Sequence, residues 1–212
     1  MSGDPLAPDA KILREVMPEL TRTELRGAKV QGEIERLLDV TYGRLNKATR
    51  DAKHDRGQPN TVGLSANQVG LKRRICVVDL SIGRRGYTDV FVLVNPRITW
   101  ASKTCQTHLE GCVNFEETWG MVRRSARVKV AAWDRSGHDV TFDVSGWAAA
   151  LMQHEVDHLN GRLFIDRLVD PAKAFHVPAD RYAAFRKDTP GWNEFVDVSG
   201  EVISDKDAKL SS

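Results

Sequence analysis

The residues with the clearest chemical potential form the run His154-Glu155-Val156-Asp157-His158. On a helix, histidines at i and i+4 stand on one face about one turn apart, so both imidazoles can hold the same metal ion. Glu155 sits beside that face, where its carboxylate can reach a water at the metal without being a ligand. A catalytic site of this kind takes three protein ligands and keeps one position for water, so a third donor has to come from elsewhere in the chain.

Phe164 stands where a metzincin would place its third histidine, which disfavours that arrangement. A gluzincin would need a glutamate on a second helix, and the tail offers only Glu194 and Glu201 among residues of weak helical character. Cys112, in Glu110-Gly111-Cys112-Val113-Asn114, is the better candidate, because Gly111 would let the backbone approach closely and a thiolate would complete a Cys-His-His set. Cys76 lies in an apolar run and reads as a small buried hydrophobe. Cys105 has no evident role.

These groups need elements to hold them. Ser145 is a plausible N-cap for a helix running from Trp147 through His158 and ending at Asn160-Gly161. Strands are expected over residues 74–80, 89–94 and 126–133, each rich in β-branched residues, and Asp134-Arg135-Ser136-Gly137 reads as a hairpin turn into a strand over 139–144. Toward the N-terminus, Pro5, Pro8 and Pro18 punctuate an extended arm. From about Thr23, Leu25, Ala28, Ile34, Leu37, Leu38 and Leu45 form one apolar stripe, which predicts a long core-packing helix. Residues 46–60 read as a polar loop closed by Gly57-Gln58-Pro59-Asn60.

Composition sets the outer limits. With 212 residues, 41% hydrophobic and 28% charged, the chain reads as one globular domain, not as disorder or a fibre. Lys and Arg number 31 against 29 Asp and Glu, so direct nucleic-acid binding gains no electrostatic support. No run approaches the length of a membrane span and no secretory leader is visible, so a cytoplasmic protein without membrane attachment is expected. Three cysteines are too few and odd in number for a disulfide scaffold, which fits a reducing compartment.

Three motifs in order, Gly63-Leu-Ser-Ala-Asn-Gln-Val-Gly70, Glu110-Gly-Cys112 and Gln153-His-Glu-Val-Asp-His-Leu-Asn-Gly161, make the chain resemble peptide deformylase. The resemblance covers roughly residues 10 to 170. It implies an α+β fold, with antiparallel strands packed around a central metal-binding HExxH helix and a long N-terminal helix. It also implies a catalytic domain over 1–170 and a C-terminal extension over 171–212. The implied activity is metal-dependent removal of the formyl group from the N-terminal formyl-methionine of new polypeptides. The competing readings are an amidase acting on another small N-acyl group and a catalytically weak peptide-binding homologue.

By the same resemblance Cys112, His154 and His158 hold one divalent ion, usually Fe(II), with zinc, nickel or cobalt possible. Glu155 is the acid-base group, and the Gln68 side chain and Val113 backbone N–H stabilise the oxyanion. Val62, Gly63, Leu64 and Trp119 lie beside the bound peptide, Glu110 and Arg124 form a structural ion pair, and the implied partners are formyl-methionyl peptides or nascent chains met by a monomer. The chain departs from the usual motifs at Thr61, Ser65, Val113 and Asn114. Of these, Asn114, in place of the usual serine, changes the side chain beside the metal loop.

Overall fold

Two antiparallel sheets flank one buried helix. The computed structural model describes residues 5–42, 61–81, 89–170 and 174–178. Five strands, β1 (Gly63–Ser65), β2 (Ile75–Asp79), β3 (Val90–Ala101), β6 (Arg127–Trp133) and β7 (Asp139–Ser145), form one sheet in the order β1-β2-β3-β6-β7. A second sheet holds β4 (Cys105–Cys112), β5 (Phe115–Ser125) and β8 (Ala174–His176), with β5 in the middle. The helices are α1 (Arg22–Arg26), α2 (Ala28–Thr41) and α3 (Gly146–Leu159). Among the described residues no helix is long and apolar enough to cross a membrane.

Side-chain alternation explains the layers. On β2, Cys76 and Val78 turn toward α3 and join Leu93, Val128, Val130, Ala149, Met152 and Leu159 in one apolar cluster. Ile75 and Val77 turn the other way and pack with Leu25, Val30, Ile34 and Leu37 of α1 and α2. The large sheet is therefore covered on both faces at β1 and β2, leaves one face open at β6 and β7, and α3 is buried along its length from Ala149 to Leu159.

A helix so enclosed can carry polar side chains only if each finds partners, since an unpaired buried polar group costs on the order of 1–3 kcal/mol. Gln153 shows how this is met: its Oε1 accepts from Ser125 N–H at 3.0 Å and its Nε2 donates to the Ser125 and Ala149 carbonyls, both at 2.9 Å.

Several expectations are modified. The N-terminal helix is not continuous, because Gly27 takes an extended conformation (φ −68°, ψ 141°) and separates α1 from α2. Thr21 and Glu24 close α1 as a capping box, so the short helix has its own start as well as its own stop. The stripe position Leu45 and the loop expected over 46–60 lie outside the described residues. Ser145 is the N-cap residue of α3, but its side chain makes no capping hydrogen bond.

The arm around Pro8 is partly ordered as a 3-10 turn over Lys11–Arg14, which buries Leu13, and Met17 N–H then donates to the Leu159 carbonyl at 2.9 Å. Just past the expected boundary at 170, β8 pairs with β5 through Trp119↔Phe175 and so joins the second sheet. Most of the 171–212 segment lies outside the described residues.

Candidate metal centre

The second sheet contains the β4–β5 hairpin that delivers Cys112. Its register shifts between Gly111↔Trp119 and Cys112↔Phe115, which turns Cys112 toward α3 at the end of β4. Gly111 is required there, since a Cβ at that position would lie 2.7 Å from the Trp119 ring. From α3, His154 and His158 meet the cysteine: Cys112 Sγ is 3.3 Å from His158 Nε2, which is 3.2 Å from His154 Nε2. These are the donor atoms of a three-residue group able to hold a metal ion.

The spacing suits an ion. Bonds of about 2.0–2.3 Å from a tetrahedral centre to nitrogen and sulfur leave neighbouring donors roughly 3.3–3.6 Å apart. Two imidazole lone pairs and a sulfur brought this close repel one another unless a proton or a metal cation lies between them. A thiolate with two imidazoles and no carboxylate accepts several first-row divalent metals.

Charged groups behind the cluster orient it. His154 Nδ1 lies 2.9 Å from Glu110 Oε2, so the carboxylate accepts a hydrogen bond from Nδ1–H and turns Nε2 toward His158 and Cys112. Arg124 Nε and Nη2 donate to the two oxygens of Glu110, both at 2.8 Å, and its Nη1 pairs with Asp157. Arg167 Nη2 donates to Asp157 at 2.6 Å.

Glu110, Arg124 and His154 are buried together and shift one another. Burial alone would raise the Glu110 carboxyl, but the Arg124 guanidinium and the His154 hydrogen bond hold it well below its ordinary value. For Arg124 burial is outweighed by Glu110 and Asp157, which push it up. Burial keeps His158 well below the usual imidazole value and hence neutral, the form that ligates. His154 is also penalised by burial, yet Cys112, Glu110 and Glu155 together pull it up, so this corner of the cluster favours a positive charge.

Glu155 and Gln68 approach the cluster from its open side. A Cβ at Gly63 would stand 2.3 Å from Glu155 Oε1, so only glycine on β1 leaves room for the carboxylate. Ser65 Oγ donates to Glu155 Oε2 at 2.7 Å, and burial raises the Glu155 carboxyl above its ordinary value while the His154 charge and the Ser65 hydrogen bond pull it back. Gln68 lies on a 3-10 turn over Ala66–Val69, with its Nε2 3.3 Å from Cys112 Sγ.

A cavity of about 800 Å³ opens onto these groups. Val62, Gly63, Gln68, Cys112, Val113, Trp119, His154 and Glu155, all expected at the site, line it. His158 is fully enclosed behind the wall. Leu64, expected beside the peptide, is fully buried and sends its side chain into the apolar cluster under α2, so only its backbone lies on the edge strand. Trp147, Ala150 and Leu151 line the cavity without having been singled out, although they share a helix face with His154 and Glu155 at spacings of three, four and seven. Ser65 and Asn114, two of the departures from the usual motifs, both reach the site, Ser65 at Glu155 and Asn114 at Gln68, and His108 lines the cavity as a further neighbour that no local pattern marks.

Known proteins share this arrangement of chain. Peptide deformylase 1 of Vibrio vulnificus is 38% identical over 162 residues, 76% of this chain and 83% of the relative. With the peptide deformylase of Methylocella silvestris the identity is also 38%, over 109 residues that span 56% of that protein. The crystal structure of the peptide deformylase from Thermotoga maritima superposes with a TM-score of 0.64 at 29% identity, covering 78% of this chain and 97% of the other. The family model for polypeptide deformylase matches residues 6–174, from the arm to the first residue of β8, and so includes all three helices and β1 to β7: the chain belongs to the polypeptide deformylase family.

Proposed function

We infer that the chain is a metal-dependent hydrolase that takes the formyl group from the N-terminal formyl-methionine of new polypeptides and releases formate. The observation that carries this reading is the convergence of the Cys112, His154 and His158 donor atoms with the Glu155 carboxylate and the Gln68 amide at one cavity. Cys112, His154 and His158 would hold one divalent ion, for which Fe(II) is the proposed native choice. When bound, such an ion supplies Lewis acidity, lowering the pKa of a coordinated water and polarising the formyl carbonyl.

The chain's own groups do the rest. Glu155 accepts a proton from the attacking water on its carboxylate and returns it to the amine nitrogen as the formyl C–N bond breaks. One oxygen, Oε2, is fixed by Ser65, which leaves Oε1 beside Gly63 for this exchange. Gln68 Nε2 and the Val113 backbone N–H donate to the oxygen of the formyl group as negative charge develops, and such a donor is worth about 3–4 kcal/mol in the transition state.

Substrate placement follows from the edge position of β1. Among the described residues its outer side pairs with no other strand, so a peptide can add there alongside Val62, Gly63 and the Leu64 backbone. Thr61 Oγ1 donates to the Gly63 carbonyl at 2.9 Å and so competes for one acceptor on that edge. Val62, Trp147, Ala150 and Leu151 give an apolar lining suited to a methionine side chain, with Trp119 on the hairpin side. The thiolate ligand and an Fe(II) ion both require a reducing compartment, which fits the cytoplasm.

The test is anaerobic assay of Fe-, Zn- and Ni-loaded protein on a formyl-methionyl peptide and on its acetyl analogue. Formate release with little acetate release is expected. Absence of formate with every metal would sink this reading, and acetate release at an equal rate would point to a broader amidase.

A further inference from the structure

We propose that Asn114 is a positioning residue that clamps the Gln68 amide, and that the N-terminal arm, through Leu6, forms the outer half of that clamp. This rests on the reading of Gln68 as the oxyanion donor. Asn114 lies in the hairpin turn between β4 and β5 and is 3% exposed. Its Oδ1 accepts from Gln68 Nε2 at 2.9 Å, while its Nδ2 donates to the Leu6 carbonyl at 2.8 Å and the Gln68 carbonyl at 3.2 Å. Leu6 N–H donates to the same Gln68 carbonyl at 2.8 Å, so arm, turn and 3-10 segment are tied into one ring of hydrogen bonds.

The ring settles which way the Gln68 amide points. Its Oε1 accepts from the Ser65 N–H at 2.6 Å. Turning the amide over would set oxygen against Asn114 Oδ1 and an N–H against the Ser65 N–H, two repulsive contacts where there are now two hydrogen bonds. With the amide fixed, one of its two hydrogens is taken by Asn114. The other is directed toward Cys112 Sγ at 3.3 Å, on the side of the metal cluster where the formyl oxygen would sit. Asn114 thus acts through Gln68: it absorbs one N–H and leaves the second aimed at the reaction. A serine in this position has one hydroxyl hydrogen and a shorter reach, so it could not accept from Gln68 and also donate to both Leu6 and Gln68 carbonyls.

The test compares full-length, metal-loaded Asn114→Ala, Gln68→Ala and the double variant on a formyl-methionyl peptide. Asn114→Ala should lower kcat about tenfold with KM within about twofold, while bound metal is unchanged. In the Gln68→Ala background the same change should cost nothing further, because the residue it positions is gone. Asn114→Asp keeps the volume and an acceptor for Gln68 but sets a carboxylate oxygen against two carbonyls. It should speed hydrogen exchange at the Leu6 amide and lower kcat even if the alanine chain folds poorly.

Losses that add in the double variant, or an unchanged kcat in Asn114→Ala beside a large loss in Gln68→Ala, would overturn the clamp and leave the oxyanion reading standing. An unchanged kcat in Gln68→Ala would overturn both.

Discussion

His154 and Gln68 reach the same metal cluster, yet the groups behind them differ in kind. Behind His154 runs a chain of charges, the buried Glu110, Arg124 and Asp157 and the half-buried Arg167, in which each ion faces one of opposite sign. Behind Gln68 every partner is neutral: the Ser65 N–H, the Asn114 amide and the Leu6 carbonyl. The difference follows the two tasks. An imidazole that must hold a cation gains from a carboxylate at its other nitrogen, and that carboxylate can stay ionised in the interior only with a guanidinium beside it. An amide that donates to a transient negative charge is served by neutral support, because a fixed anion nearby would oppose the charge it has to stabilise.

The ionic side should therefore break harder than the neutral side. Arg124→Ala leaves Glu110 and Asp157 as buried carboxylates short of their shared partner, and about 3–5 kcal/mol of folding stability should be lost in urea unfolding of the metal-loaded protein. Arg124→Lys should recover only part of this, since one ammonium cannot reproduce the paired bonds to Glu110 and the bond to Asp157 together. A loss below about 1 kcal/mol would show that the network is not needed for the fold.

A smaller effect is expected from Glu110→Gln, which keeps the shape but removes the charge facing His154 Nδ1. Metal affinity, measured by chelator competition, should fall about 10- to 100-fold, with kcat at saturating metal changed only a few-fold. Unaltered affinity would mean that His154 needs no anionic partner to serve as a ligand.

The two sides also differ in how far they were legible in the sequence. His154, Glu155 and His158 are joined by helical spacing, and Trp147, Ala150 and Leu151 obey the same spacing. Cys112 follows from the need for a third donor and the glycine before it, and Gln68 from the motif alone. The hairpin that carries Cys112 was not foreseen as two strands, because Gln106, His108, Glu110, Arg123 and Arg124 interrupt the apolar pattern. Several of these face inward, where Glu110 and Arg124 neutralise one another. For Leu64 the motif placed the backbone by the site, but strand alternation sends its side chain into the core. The break at Gly27 could have been read from the glycine itself, which sits in the stripe just where Thr21 and Glu24 have already begun a capped helix. The clamp on Gln68 lay beyond reach for a different reason: Leu6 and Asn114 are 108 residues apart, and only the folded chain brings them together.

Ser65 belongs to both sides and should give the smallest effect. Its backbone N–H supports Gln68 and survives replacement by alanine, whereas its hydroxyl bonds Glu155 Oε2 and is lost. In Ser65→Ala, then, the Gln68 support remains and only the general base is disturbed. The serine hydrogen bond favours the ionised carboxylate, so its loss lets burial push Glu155 further up. The base must be deprotonated to work, and a higher pKa reduces that fraction most at low pH. The acidic limb of the kcat/KM profile should move to higher pH, with activity down less than about tenfold on that limb and close to the parent on the alkaline side of it. A uniform loss at all pH values would instead indicate that the hydroxyl holds the carboxylate in place without tuning its proton affinity.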